Sequence, residues 1–399
     1  MRKIICFLLI FSATAPLSGC KSDIFPAGRE IDQFEMVQVV GIDRSAEDPS
    51  MAEVTFISQI ERGSSGKSEG GIRQVTVKSS TGPTVFDAER KIKAHSDKLV
   101  FLGHVDFFII GEAAAEEDFT KYFDFINRDH EMRLSPKVFI AKGCSAKDLI
   151  FNTSSSDKFI MDRLKNIEFD RALLSNIDQV RIIDVQGMLD NTNEATVIPA
   201  LKQESIRDEF FTGKTPKTDL ATGGYAVIRD FKLVGYISDI HSRGYNFLVN
   251  KVKSCPVSVK DSSGQYVGLE VIQSKTKVEA HFNGDRLEGI TYKTNVMSNI
   301  EEQQSRDNIY TQSALLDLAS KQSEAIRAEM IEAIDLSKEF KTDCFGLGQE
   351  IRMHHPLKWE HIKDNWSEIY PDLKIDVVVE SEIERTYDIR EPNGYQMEK

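Results

Sequence analysis

Cys20 is the residue best placed to do chemistry. It stands in LSGCKSD, Leu17–Asp23, where an apolar run gives way to a long polar chain. A cysteine there offers a thiolate, a good nucleophile at moderate pH. The other cysteines promise less. Cys6 lies in the leading apolar run, and Cys144, Cys255 and Cys344 are far apart with no C-x-x-C pair. An odd set of thiols cannot all pair within one molecule. Three idle thiols, or one disulfide among them, both remain open. His354, His355 and His361 invite a metal reading. Neighbours on a helix point about 100° apart, and a spacing of six is poor for a shared face, so no metal site is expected. FGLG, Phe345–Gly348, has two glycines but lacks the rest of a phosphate loop, so a turn is expected. No G-x-S-x-G, H-E-x-x-H, Walker loop or G-x-G-x-x-G before a helix occurs. No catalytic, cofactor-binding or metal-ligating residue is assigned.

The residues before Cys20 say what its thiol would be for. Arg2 and Lys3 are basic, and Ile4 to Ala15 form an apolar core of twelve residues. A membrane span needs about 20; a short core behind a basic start has the form of an export signal. Leu17-Ser18-Gly19-Cys20 then reads large apolar, small, small, Cys, which resembles a bacterial lipobox. Such a cysteine receives a diacylglyceryl group and becomes the new N-terminus after cleavage. Two acyl chains at roughly 0.8 kcal/mol per buried CH₂ anchor a protein stably, where one does so only marginally. The expectation is a body held at a bilayer through acylated Cys20.

Composition agrees with that division of labour. The 399 residues include 50 Lys and Arg against 63 Asp and Glu, a net charge of −13 that becomes −15 once Arg2 and Lys3 are lost. An acidic body is repelled by nucleic acid and by anionic headgroups, so the acyl group, not a basic patch, is expected to hold it. Hydrophobic content of 40% and charged content of 28% fit a globular chain, and the length fits two or three domains.

Hydrophobic spacing then outlines the elements. Phe34 to Ile42 and Met51 to Ile60 read as strands. The Gly/Ser-rich run Arg62–Gly71 reads as a loop, and Ile72–Lys78 as the partner strand of a long hairpin. Gly82-Pro83 stops that strand; Thr84 is a candidate N-cap for a helix with Val85, Ala88, Ile92 and His95 on its packed face. His104–Ile110 is a buried strand, followed by a helix from Glu112 to about Asn127 and a strand at Lys137–Ala141. Two or three helices fill Ala146–Asn191, and Thr196–Leu201 is a short strand.

The polar stretch Asp208–Thr222 is the expected first domain seam. Tyr225–Ile237 turns around Arg229 and Asp230 as a tight hairpin. Further strands are expected within Gly244–Val259 and at Gly268–Ile272, Thr276–Phe282 and Leu287–Val296. Ser313–Phe340 is the longest helical pattern, with Leu316, Ala319, Ile326, Met330, Ala333 and Ile334 on its stripe. Trp359, Ile362, Trp366, Ile369 and Tyr370 share a later helix face, read as a domain anchor, with Pro371 as its end. Leu373–Val379 closes as a strand. Hairpins mixed with helix crossovers make the class α+β, three mixed units with packed helices: a leader 1–19, an N-terminal unit 20–207, a hairpin-rich unit 208–259 and a C-terminal unit 260–399 with the long helix.

Several of these segments, in order, resemble the Ger(x)C spore germination lipoproteins, the C subunits of nutrient germinant receptors. They are REIDQFEMVQVVGID (Arg29–Asp43), KLVFLGHVDFFIIGEAAA (Lys98–Ala115), FINRDHEMR (Phe125–Arg133), GGYAVIRDFKLVGYISDIHSRGYNFLVNKV (Gly223–Val252) and DCFGLGQEIRMHHPLKWEHIKDNW (Asp343–Trp366). None is a catalytic signature; their joint order is specific. The chain departs from the family after the lipid cysteine, where Lys21-Ser22-Asp23 replaces the usual Trp-Asp, and His130 and Cys344 are atypical. The resemblance implies a non-enzymatic subunit of three α+β domains on the outer face of the spore inner membrane. It implies integral-membrane A and B subunits as partners, with nutrients binding there and no direct small-molecule ligand here. A lipid-anchored solute-binding protein of a transporter is the alternative; it needs two lobes of repeated βαβ units. A surface hydrolase needs a clustered acid/base pair, which the sequence does not display.

Overall fold

A computed structural model describes residues 33–61, 73–153, 160–191, 194–206 and 217–384. Cys20, the leader and the Gly/Ser-rich loop of 62–71 lie outside the described residues. Two sheets organise the rest. The larger has nine strands: β1 (Phe34–Arg44), β2 (Ala52–Glu61), β3 (Arg73–Gly82), β4 (Leu99–Phe101), β5 (Phe107–Gly111), β6 (Lys137–Ala141), β7 (Thr196–Ile206), β8 (Lys217–Arg229) and β9 (Lys232–Ile237). Their order is β3-β2-β1-β5-β6-β7-β8-β9, with β4 pairing the start of β1. β1, β5, β6 and β7 run parallel in the centre, and the flanks are antiparallel hairpins.

The centre is covered on both faces, which is why β5 reads as an unbroken apolar run. Side chains alternate across a strand, so Phe108 and Ile110 face one layer and Phe107 and Ile109 the other. The first layer holds α1 (Val85–Ala94), α2 (Glu112–Ala115), α3 (Thr120–Arg128) and α6 (Ile182–Leu189). The second holds α4 (Ala146–Thr153) and α5 (Ile160–Leu174). Each of these fully buried Phe and Ile side chains contributes roughly 1.5–3 kcal/mol.

The smaller sheet runs β10 (Cys255–Lys260), β11 (Tyr266–Asn283), β12 (Arg286–Gln303) and β13 (Lys374–Glu384). Its core is a hairpin of two 18-residue strands. α7 (Asp239–Leu248) and the 28-residue α8 (Gln312–Glu339) pack on it. Then come α9 (Leu347–His354), α10 (Pro356–Ile362) and α11 (Trp366–Asp372), whose Trp359, Trp366 and Tyr370 are buried in the same core. The α+β class holds, with mixed sheets and packed helices.

Several sequence readings need correction. The hairpin Tyr225–Ile237 is β8 and β9 of the larger sheet, and β8 pairs β7 across the stretch read as a seam, with Ile206 opposite Lys217. The segment 208–259 therefore has no sheet of its own; its last strand, β10, opens the second sheet. Gly244 does not sit in a strand but in α7, where a Cβ would collide with the Glu329 carbonyl of α8. The glycine brings two helices together, and that hid the helical pattern. The expected helix from Glu112 breaks after Ala115, since the Asp118 carboxylate takes the Thr120 N–H at 3.0 Å and restarts the chain as α3. Gly268–Ile272 and Thr276–Phe282 are one bulged strand, β11. His95 is exposed at the end of α1, its Nδ1 against the Lys91 carbonyl, and Leu316 is 64% exposed. The tryptophan helix is split by a 3₁₀ turn at Lys363–Asn365, and Pro371 sits inside its last turn.

Candidate functional site: the joint between the sheets

The two sheets meet through a polar network that starts at Tyr225 of β8. Its hydroxyl donates to Asn246 Oδ1 at 2.7 Å, and Asn246 Nδ2 donates to the Ser175 carbonyl at 2.7 Å. Ser175, at φ 45°, donates its hydroxyl to the Ser254 carbonyl at 2.7 Å and accepts the Lys253 N–H at 3.0 Å. Asn246 is fully buried, so its amide must find partners or cost the desolvation of an unpaired polar group. Asn246 and Ser175 together tie β8, the end of α5, α7 and the approach to β10.

The second part of the joint is acidic. Glu194, just before β7, bridges to Asp343, between α8 and α9. The Ala195 N–H donates to the Asp343 carbonyl at 2.8 Å. Both carboxylates then turn to the start of α9. Asp343 accepts the N–H groups of Phe345 at 3.0 Å and Gly348 at 2.8 Å, and Glu194 accepts that of Gln349 at 2.7 Å. Free N–H groups and the helix dipole at that terminus favour negative charge. Burial outweighs them. It raises Glu194 to about 7, with the neighbouring Asp343 charge adding to the rise, and it raises Asp343 as well. The Trp366 indole N–H faces Asp343 without closing a full hydrogen bond. FGLG is thus a helix start: Gly346 is left-handed at φ 73°, and Gly348 lies under both indoles.

Beside the network lies a cavity of about 570 Å³, among α6, β7, β8 and the end of α7. Two ion pairs line it, Lys251–Asp178 at 3.1 Å and Arg181–Asp184 at 2.9 Å, with the Tyr245 ring on its wall. No thiol or imidazole lines it. The arrangement is suited to holding one part of the fold against another, or a small polar group.

The sequence-flagged residues are dispersed. Cys20 lies outside the described residues. Cys144, Cys255 and Cys344 are free, and burial raises their thiols to about 11, 12 and 12. Thiols so raised are poor nucleophiles. His354 sits against Glu350, 3.3 Å from its carboxylate, His355 packs on Phe282, and His361 is exposed. No group of three metal-competent side chains converges among the described residues. Sequence reading missed Asn246, Ser175 and the Glu194–Asp343 pair. Asn246 and Asp343 lie inside segments that carry the family resemblance, but no spacing in the sequence joined them to Ser175 or Glu194.

Residues 28–203 match the family described as "Spore germination protein N-terminal domain", and residues 223–387 match "Spore germination B3/ GerAC like, C-terminal". The chain belongs to the Ger(x)C spore germination family. Among its relatives, Spore germination protein B3 of Bacillus subtilis (strain 168) is 22% identical over 380 residues, covering 93% of this chain and 95% of that one. Spore germination protein A3 of the same organism is 23% identical over 388 residues, covering 93% and 96%. The crystal structure of the GerBC protein has the same fold, with a TM-score of 0.54 over 86% of this chain and 96% of that one at 18% identity. In this Ger(x)C chain the two family segments interlock. The second begins at residue 223, yet its first hairpin, the rest of β8 with β9, completes the sheet built by the first.

Proposed function

We propose that the chain is a lipid-anchored, non-enzymatic C-type subunit of a spore germinant receptor, working with integral-membrane A and B subunits on the outer face of the spore inner membrane. The observation that carries this reading is the joint one. A basic start and a short apolar run lead into Leu17-Ser18-Gly19-Cys20, and family-matched sequence follows over residues 28–203 and 223–387. Membership in a spore germination family supports the process. The leader supports the anchor, because no helix among the described residues is long and apolar enough to cross a membrane. The raised thiols and the dispersed histidines favour a structural over a chemical role. The joint suits such a subunit, because it locks two sheets into one body that can transmit contact.

The test is Cys20→Ala in the full-length protein. Loss of the protein from membranes, or arrest of its maturation, is expected, together with loss of germination by particular nutrients and normal vegetative growth. Membrane retention without any lipid label would refute the anchor. A defect in nutrient uptake during growth would instead point to a transporter's solute-binding protein.

A further inference from the structure

The parallel strands β1, β5 and β6 all start at one end of the larger sheet. β1 begins at Phe34, and thirteen residues, Lys21–Gln33, separate it from Cys20. Fully extended, they reach at most about 45 Å, at roughly 3.3–3.6 Å per residue. β1 itself is about 35 Å long at roughly 3.3 Å per residue. To set the far end of the sheet on a bilayer, the tether would have to run back along the strand with almost no slack. The near end meets no such limit.

That near end carries exposed aliphatic side chains. Leu99, paired beside Phe34 at the start of β4, is 40% exposed. Leu134, three residues before β6, is also 40% exposed. Ile183, whose N–H donates to the Leu134 carbonyl at 3.1 Å, is 46% exposed. Lys98 precedes Leu99 and Arg133 precedes Leu134. Neither has an ion-pair partner among the described residues, although the chain as a whole is acidic. Asp97 beside Lys98 and Asp184 beside Ile183 are the acids next to this patch in sequence, and Asp184 is paired with Arg181 at 2.9 Å.

We infer that this end of the larger sheet rests on the lipid bilayer, with Leu99, Leu134 and Ile183 at the headgroup boundary and Lys98 and Arg133 toward lipid phosphates. The inference rests on the reading of Cys20 as the lipid anchor. Three aliphatic side chains and two cations bind a membrane weakly alone, but a tether raises their effective concentration at the surface. The contact therefore orients the body and adds little to its retention.

The experiment uses the acylated full-length protein on phosphatidylglycerol/phosphatidylethanolamine vesicles, in a Cys144→Ala background. An environment-sensitive fluorophore is placed on Leu134→Cys, on Ile183→Cys or on Ala46→Cys, the last in the exposed β1–β2 turn at the opposite end. Flotation with the vesicles reads the anchor, and emission reads the orientation. The expected result is a blue shift with shallow quenching by spin-labelled lipid at 134 and 183, water-like emission at 46, and a smaller shift at 134 after Lys98→Glu with Arg133→Glu. Flotation with equal emission at 134 and 46 overturns the inference and leaves the anchor standing. Failure to float removes the anchor and the inference together. A shift at 134 that needs added spore membrane proteins assigns the surface to a protein partner and also overturns it.

Discussion

Each sheet seats a helix on a buried aspartate, but the two caps work in different surroundings. Asp43, at the end of β1, accepts the N–H groups of Ala146 and Lys147 at 2.7 and 2.9 Å and starts α4 within its own sheet. Asp343 starts α9 in the same manner, but Glu194 stands beside it, brought in by the other sheet. Burial raises Asp43 to about 6, with Glu53 and Asp148 adding smaller contributions. At the joint, two raised carboxyls share one helix start. The same device is a local fastener in the first case and a proton-sensitive link between units in the second.

The sign of that sensitivity follows from linkage. A carboxyl whose folded pKa lies above its unfolded value holds its proton more tightly in the fold. Its contribution is fully present below the unfolded value and is lost as pH rises through the folded one. For Asp43 the window runs from the ordinary 3.8 to about 6, and for Glu194 from 4.5 to about 7. The body should be most stable in mild acid, with the joint giving the part of the slope that extends to neutral pH.

The largest expected effect is that of Asp343→Ala. It strands buried N–H groups at the start of α9 and should lower unfolding stability by about 3 kcal/mol, read from the denaturant midpoint. Gly348→Ala attacks the same joint by volume. A Cβ there would lie 2.8 Å from the Trp359 ring, so a loss of about 2 kcal/mol is expected, with altered tryptophan fluorescence. Asp43→Ala should cost somewhat less than Asp343→Ala, about 2 kcal/mol, without changing tryptophan emission. Equal cost and equal emission change would erase the distinction between the two caps. Glu194→Gln should act in the opposite direction. It keeps an oxygen for Gln349 but removes the buried charge, so at pH 8 it should stabilise by about 1 kcal/mol, and at pH 5 by nearly nothing. A pH profile left unchanged between 5 and 7 would deny the joint its role.

What the sequence revealed was local. Thr84 caps α1 as expected, accepting the Asp87 N–H at 3.0 Å, because a cap is settled within one turn. The β5 run and the long α8 were legible because burial on two faces, or along one stripe, leaves a period in the chain. The joint left no such trace. Asp43 is 103 residues from the amide it caps, and Glu194 is 155 from Gln349. Spacing rules see neighbours, not partners brought together by sheet order. The same limit explains β8 and β9. Their hairpin was legible, but its membership of the larger sheet depends on β7, across a polar stretch that looks like a boundary.

The proposed role of this Ger(x)C chain is that of the lipid-anchored subunit of a membrane receptor. It is tested most directly by affinity purification of the full-length, tagged protein from spore membranes in mild detergent, followed by mass spectrometry. The account predicts two polytopic membrane proteins in the eluate, and a Cys20 peptide carrying a diacylglyceryl group. A transporter permease with its ATPase, or an unlipidated protein that elutes alone, would contradict it.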